Sequence, residues 1–265
     1  MMVSKNNKTE PITLQQLRTN IRSSQFDKNT SGLMPGLVQG NIVIMPTKAA
    51  EEFIEFCALN DKPCPVIGFS QPGDPGIPNL GKDIDIRIDV PEYLVFEQGQ
   101  LTHTETDISR FWNEDSVAIV IGCSYSFEDA LIDAGYPIRN IDLGVNVSMY
   151  DTNIPTISTK NFSGNTVVSM RPFKRKDVEA VTKITENFSK THGGPIHVGD
   201  PSAIGIKDIN NPDYGSPVPI KEDEVPVFWG CGVTSQRILK KAKLPLLITH
   251  VPGKMLITDL RYEQL

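Results

Sequence analysis

Two glycine–cysteine pairs, Gly122-Cys123 and Gly230-Cys231, occupy the same place in two similar segments of this 265-residue chain. The segments, 117–151 (VAIVIGCSYSFEDALIDAGYPIRNIDLGVNVSMYD) and 225–259 (VPVFWGCGVTSQRILKKAKLPLLITHVPGKMLITD), lie 108 residues apart. In each, an apolar strand-like run ends in Gly-Cys and a hydroxyl residue follows three positions later (Ser126, Thr234). A helical stretch comes next, then a proline fourteen residues after the cysteine (Pro137, Pro245), then a second apolar run. A cysteine that ends a strand and opens a helix faces the usual ligand crevice of a sheet. The helix dipole and its free N–H groups can also stabilise the thiolate there. Cysteine is equally among the most buried residue types, and one such residue alone would simply fill space. Two at equivalent positions make a site-lining role as good a reading.

Other polar groups cluster in tight backbone. HVGDPSAIGI, residues 197–206, offers His197, Asp200 and Ser202, with Gly199 and Gly205 allowing close approach of the chain to an anion. A plain Asp-Pro turn capped by Ser202 accounts for the same residues. In THVPGKMLITD, His250 precedes a Val-Pro-Gly turn and Lys254 follows it; the first segment has Asn146 at the position of Lys254. A lysine on one side and an asparagine on the other would suit an asymmetric ligand, although a surface lysine needs no ligand. In the loop 36–41, Asn41 is a further polar candidate beside a simple bend. The four histidines (His103, His192, His197, His250) show neither HExxH nor zinc spacing, and no GxxxxGK[ST] or GxGxxG is present. Neither a metal nor a cofactor is expected.

Residues 1–11 read as a disordered tail and 12–265 as a single α/β domain, with about 65–105 as a candidate sub-lobe. Thr13 and Gln16 have capping-box spacing before a short helix bearing Leu14, Leu17 and Ile21. Thr47 precedes a helix with Ala50, Phe53, Ile54 and Cys57 inward, so Cys57 is core. DIDIRIDV, residues 83–90, alternates apolar and polar and reads as a half-buried strand with solvated aspartates. Residues 93–96 and 101–106 around EQGQ read as a hairpin. The fold class expected is α/β, a mixed sheet built around the two strand–loop–helix units with the hairpin added.

At 39% hydrophobic and net charge −6, the chain can bury a core, and it has no Lys/Arg block of the kind that binds nucleic acid. No apolar run approaches the roughly 18 residues of a membrane span. Four cysteines without a CxxC pair make no disulfide framework. These features lead to an expectation of a cytoplasmic protein whose partner is a small amino-acid or carboxylate substrate, with no nucleic acid and no membrane; a homo-oligomer is left open.

GLVQGNIVIMP, GCSYSFEDAL, HVGDPSAIGI, PVFWGCGVTSQ and HVPGKMLITDL together resemble the D-glutamate cyclase family, over nearly the whole chain from about residue 14 to 259. The resemblance implies a hydro-lyase that closes D-glutamate to 5-oxo-D-proline, or acts on a related amino or oxo acid. Such chemistry needs a base for the amine, donors for the oxyanion and an acid for the departing hydroxyl. On that reading His197 is the base with Asp200 orienting it, and His250 is the acid. Lys254 or Arg171 pairs the substrate carboxylates, and Cys123 or Cys231 forms a transient thioester. Ser126, Thr234, Asn41, Asn146, Gly199 and Ser202 fall to substrate binding. Two other classes fit the paired thiols: a two-cysteine amino-acid racemase, and a carboxylate-binding protein without catalysis.

Overall fold

The computed structural model of the chain describes residues 12–30 and 32–264, so the expected tail lies outside the described residues. In chain order the elements are α1 (Leu14–Arg22), β1 (Leu37–Pro46), α2 (Thr47–Leu59), β2 (Val66–Phe69), β3 (Tyr93–Glu97), β4 (Gln100–Glu105), β5 (Ser116–Gly122), α3 (Tyr125–Asp133), α4 (Arg139–Asp142), β6 (Ser148–Pro155), β7 (Asn165–Lys174), α5 (Val178–Glu186), β8 (His197–Val198), β9 (Glu224–Gly230), α6 (Val233–Ala242), β10 (Leu246–His250) and β11 (Leu256–Arg261). The capping box forms as its spacing requires. Thr13 Oγ1 accepts the Gln16 N–H at 3.2 Å, and Gln16 Oε1 accepts the Thr13 N–H at 2.8 Å. At the hairpin, Gln98 and Gly99 both take positive φ (52° and 80°), the twist that a two-residue turn between β3 and β4 demands.

The strands form two sheets. One runs β2-β5-β1-β10-β3-β4, with β11 also on β1; the other runs β6-β7-β9-β8. A mixed sheet was expected, but among the described residues every pairing between named strands is antiparallel. The reason lies in where the helices go. Parallel neighbours need a crossover that returns to the same sheet. Here α3 follows β5 of the first sheet yet packs on the second, where Phe127 and Leu131 meet Val225, Val227 and Trp229. In the opposite sense, α6 follows β9 of the second sheet, and its Ile238 and Leu239 pack with α2 on the first. The two Gly-Cys turns are therefore the crossings between layers.

One further expectation changes. Residues 83–90 form turns rather than a strand. Asp85 Oδ1 takes the Arg87 N–H at 3.0 Å and Asp89 Oδ2 takes the Asp85 N–H at 2.7 Å, so the aspartates bend the chain locally instead of leaving it to a ladder. They are also paired rather than freely solvated, Asp83 with Arg18 at 2.6 Å and buried Asp89 with Arg22 at 2.6 Å. Residues 65–105 join the first sheet, with β2 on β5, β3 on β10, and Ile77, Leu80 and Ile86 packed on its outer face. Cys57 is core, as its helix position requires. No helix among the described residues is long and apolar enough to cross a membrane.

The crossings are crowded. A Cβ on Gly122 would lie 1.9 Å from the Lys190 carbonyl oxygen, and one on Gly230 would lie 2.8 Å from that of Lys62. Backbone cannot give way as a flexible side chain can. Gly122→Ala is expected to cost about 3 kcal/mol or more, and Gly230→Ala roughly half that, read as shifts in urea midpoint. Equal midpoints for Gly122→Ala and the wild type would contradict the packing described.

Candidate functional site

Each thiol sits at the head of a helix, Cys123 accepting the Tyr125 N–H and Cys231 the Val233 N–H. Both residues are 8% exposed. Burial pushes Cys123 up to about 12 and Cys231 to about 11, against those N–H groups and the positive charge of Arg171, which pull both down. The resting groups are neutral thiols. The hydroxyls three residues on hold strands rather than face open space. Ser126 Oγ accepts the Gln39 N–H at 3.4 Å, and Thr234 Oγ1 accepts the Val167 N–H at 2.9 Å.

Between the crossings lies Arg171, which is 0% exposed. Its Nε donates to Glu128 Oε1 at 2.7 Å, and a second guanidinium nitrogen donates to the same oxygen. Ser169 Oγ and Ser124 Oγ accept at 3.0 and 3.1 Å, and the cation stands over the Phe127 ring at 5.2 Å. Burial raises the Glu128 carboxyl above its usual range while Arg171 pulls it back. Glu128 also lines a cleft of ≈ 570 Å³ between α3, α4, Asn29, Gly32 and the Pro252-Gly253 turn. Tyr125, Asp129, Asn140 and Asn146 share its walls. Tyr125 Oη donates to Asn146 Oδ1 at 2.7 Å.

Asn41 and His250 meet behind the second crossing. His250 Nε2 lies 3.1 Å from Asn41 Oδ1 and its Nδ1 lies 2.8 Å from the Val251 carbonyl. The Asn41 amide abuts Gly232, next to Cys231. Lys254, by contrast, is bound to Glu92 at 2.6 Å. The structure does not form the expected His197–Asp200 side-chain pair. His197 Nε2 contacts the Asp200 backbone carbonyl at 2.7 Å, while the Asp200 carboxylate takes the Ser202 N–H at 2.9 Å and its hydroxyl at 2.8 Å. These bonds from Ser202 hold the exposed Asp200 carboxyl below its usual range. Gly199 donates its N–H to Pro226 at 2.9 Å. His197 packs on Phe228, whereas Arg171 packs on the adjacent Trp229. Neighbouring strand residues face opposite ways, so the two groups lie on opposite faces of the second sheet.

Sequence reasoning passed over Tyr125, Glu128 and His192. Glu128 and Tyr125 fall where the second segment has Gln236 and Val233, a difference that could have marked them. His192 is fully buried at φ 84°, with Nδ1 2.8 Å from the Lys62 carbonyl. Burial lowers His192 and His250 to about 4 each. A histidine depressed when folded binds protons more readily when unfolded. Its stabilising effect is present above the unfolded value near 6.5 and is lost as pH falls towards 4. Stability is expected to drop by on the order of 2 kcal/mol per histidine between about pH 7.5 and 4.5, measured by urea unfolding. A flat profile across that window would show that the rings are not buried neutral.

A sequence profile described as D-glutamate cyclase matches residues 117–259. A protein of Aliivibrio fischeri is 52% identical over 248 residues, 94% of this chain and 93% of its own length. One from Bradyrhizobium diazoefficiens is 50% identical over 252 residues (95% and 93%), and one from Shewanella woodyi 51% over 253 (96% and 94%). All three carry the provisional name hydro-lyase. A solved nitrogen repressor-like protein from Methanococcus jannaschii covers 94% of this chain and 97% of its own at 12% identity. Its TM-score of 0.37 is too low to carry an argument. The profile match and the near full-length identity of about half agree: the chain belongs to the D-glutamate cyclase family.

Proposed function

We propose that the protein is a hydro-lyase that closes D-glutamate, or an amino acid with a similarly placed second carboxylate, to its lactam. The observation that carries this reading beyond the family is the cleft lined by Glu128, whose carboxylate is held from behind by buried Arg171. In the reaction a bond forms between the amine nitrogen and the side-chain carboxyl carbon, and one C–O bond breaks. Two protons of the ammonium leave with that oxygen as water.

The cleft supplies groups for each demand. Glu128 and Asp129 offer carboxylates to the ammonium, and the Asn140 and Asn146 amides suit the substrate carboxylates. This favours an amino acid over an oxo acid. Glu128, raised by burial, is suited to take a proton from the amine and return one to the departing oxygen. Arg171 positions that carboxylate, and Tyr125 supplies a hydroxyl at the wall. Holding the amine and carboxyl in contact would account for much of the acceleration. Neutral thiols are poor nucleophiles, so Cys123 and Cys231 pack the crossings in this reading.

Conversion of D-glutamate by variants separates this site from the groups around His197. Asn146→Ala is expected to raise KM about tenfold, the loss of one hydrogen bond to a charged group, while His197→Ala stays within about twofold of wild type. The reverse pattern would move the site to β8 and return His197 and Asp200 to the role that the sequence motif suggested.

A further inference from the structure

We propose that a second cleft, along α6, binds a small carboxylate that lacks an amine and carries a compact apolar body. The cleft, of ≈ 230 Å³, lies between α6 and the strands β3 and β10, with Leu94, Phe96 and Leu247 as its apolar wall. Its helix wall repeats that of the first cleft position for position. Tyr125, Glu128, Asp129 and Ile132 line the first; the residues 108 further on, Val233, Gln236, Arg237 and Lys240, line the second. Ile141 and Thr249 stand in the same relation, one in each cleft.

Contacts outside the clefts repeat in the same way. Gly122 abuts the Lys190 carbonyl as Gly230 abuts that of Lys62, and Ser126 holds β1 as Thr234 holds β7. The two clefts are equivalent places in one architecture, so their differing walls report differing ligands. Two carboxylates in the first are replaced by an amide and a guanidinium in the second, and an isoleucine by an ammonium. The first wall suits an ammonium; the second suits an anion. Asp151 takes one guanidinium nitrogen of Arg237, which leaves the others for an anion and leaves no unpaired acidic group for an amine. Exposed Lys240 and half-exposed Arg237 flank the apolar wall, so a ligand can place its carboxylate on them and its ring or branched body on Phe96 and Leu94.

The test is calorimetric titration of the full chain with cyclopentanecarboxylate, which the proposed reaction cannot consume, and with cyclopentylammonium as the control cation. Saturable binding of the carboxylate alone is expected. Lys240→Gln should weaken it about threefold and Arg237→Gln about tenfold, since the latter removes a charge-assisted contact. Leu94→Trp, which fills the cleft without changing a charge, should abolish it. Melting curves check that each variant is folded. No saturable binding, equal binding of the cation, or binding unchanged in both Lys240→Gln and Leu94→Trp overturns the proposal. None of these outcomes depends on whether the first cleft cyclises glutamate.

Discussion

Glu128→Gln is expected to lower kcat for D-glutamate cyclisation by about 10²–10⁴-fold, the range for loss of a proton-transferring group. The substitution keeps the size of the side chain and an oxygen for Arg171, so the cleft retains its shape. What it removes is the ability to take and return a proton. The effect should fall on kcat far more than on KM, because Asn140, Asn146 and Asp129 still meet the substrate. Assays belong well below the melting temperature, since Arg171 loses its counter-charge. Circular dichroism would establish that the variant is folded. Turnover within about threefold of wild type would remove Glu128 from the chemistry, being far below what an acid–base group contributes.

Arg171→Met is expected to be the most damaging single change to stability. Glu128 would be left charged or forced neutral in a site where its side chain is 3% exposed. Breaking a buried pair by removing one partner costs about 3–5 kcal/mol. For a chain of this size that lowers Tm by roughly 10 °C. The same physics makes a second, sharper expectation. Removing both charges together, as Arg171→Met with Glu128→Leu, should recover much of the loss, because no uncompensated ion remains. Arg171→Lys should not substitute well, since one ammonium cannot reproduce a fork that reaches Glu128, Ser124 and Ser169. A double variant as unstable as Arg171→Met alone would mean that packing around Phe127 and Trp229, not charge, is what the arginine supplies.

Local signals were legible in the sequence where the physics is local. The Thr13–Gln16 box, the Gln98-Gly99 hairpin and the two strand–turn–helix stretches around Gly-Cys all depend on neighbours in the chain. The sheet arrangement depends on distant partners: β1 pairs with β5, β10 and β11, and nothing in its own residues announces this. Alternation misled at 83–90 because aspartate side chains competed for the backbone there. The His197 and Asp200 side chains stay unpaired for a related reason, since Ser202 claims the carboxylate and leaves the ring to a carbonyl. Cys123 and Cys231 were visible by their repetition, whereas Glu128 was not, because a glutamate on a helix is ordinarily solvated. Only the crossing of α3 onto the second sheet, where Arg171 waits, turns it inward.

The central claim is cyclisation at the Glu128 cleft, and the direct measurement is proton NMR of the protein with D-glutamate in deuterium oxide. The expected result is 5-oxo-D-proline with its α-proton retained, formed by wild type and, about a hundredfold or more slowly, by Glu128→Gln. Loss of the α-proton without ring closure would indicate racemase chemistry instead, and unchanged D-glutamate would contradict the account outright.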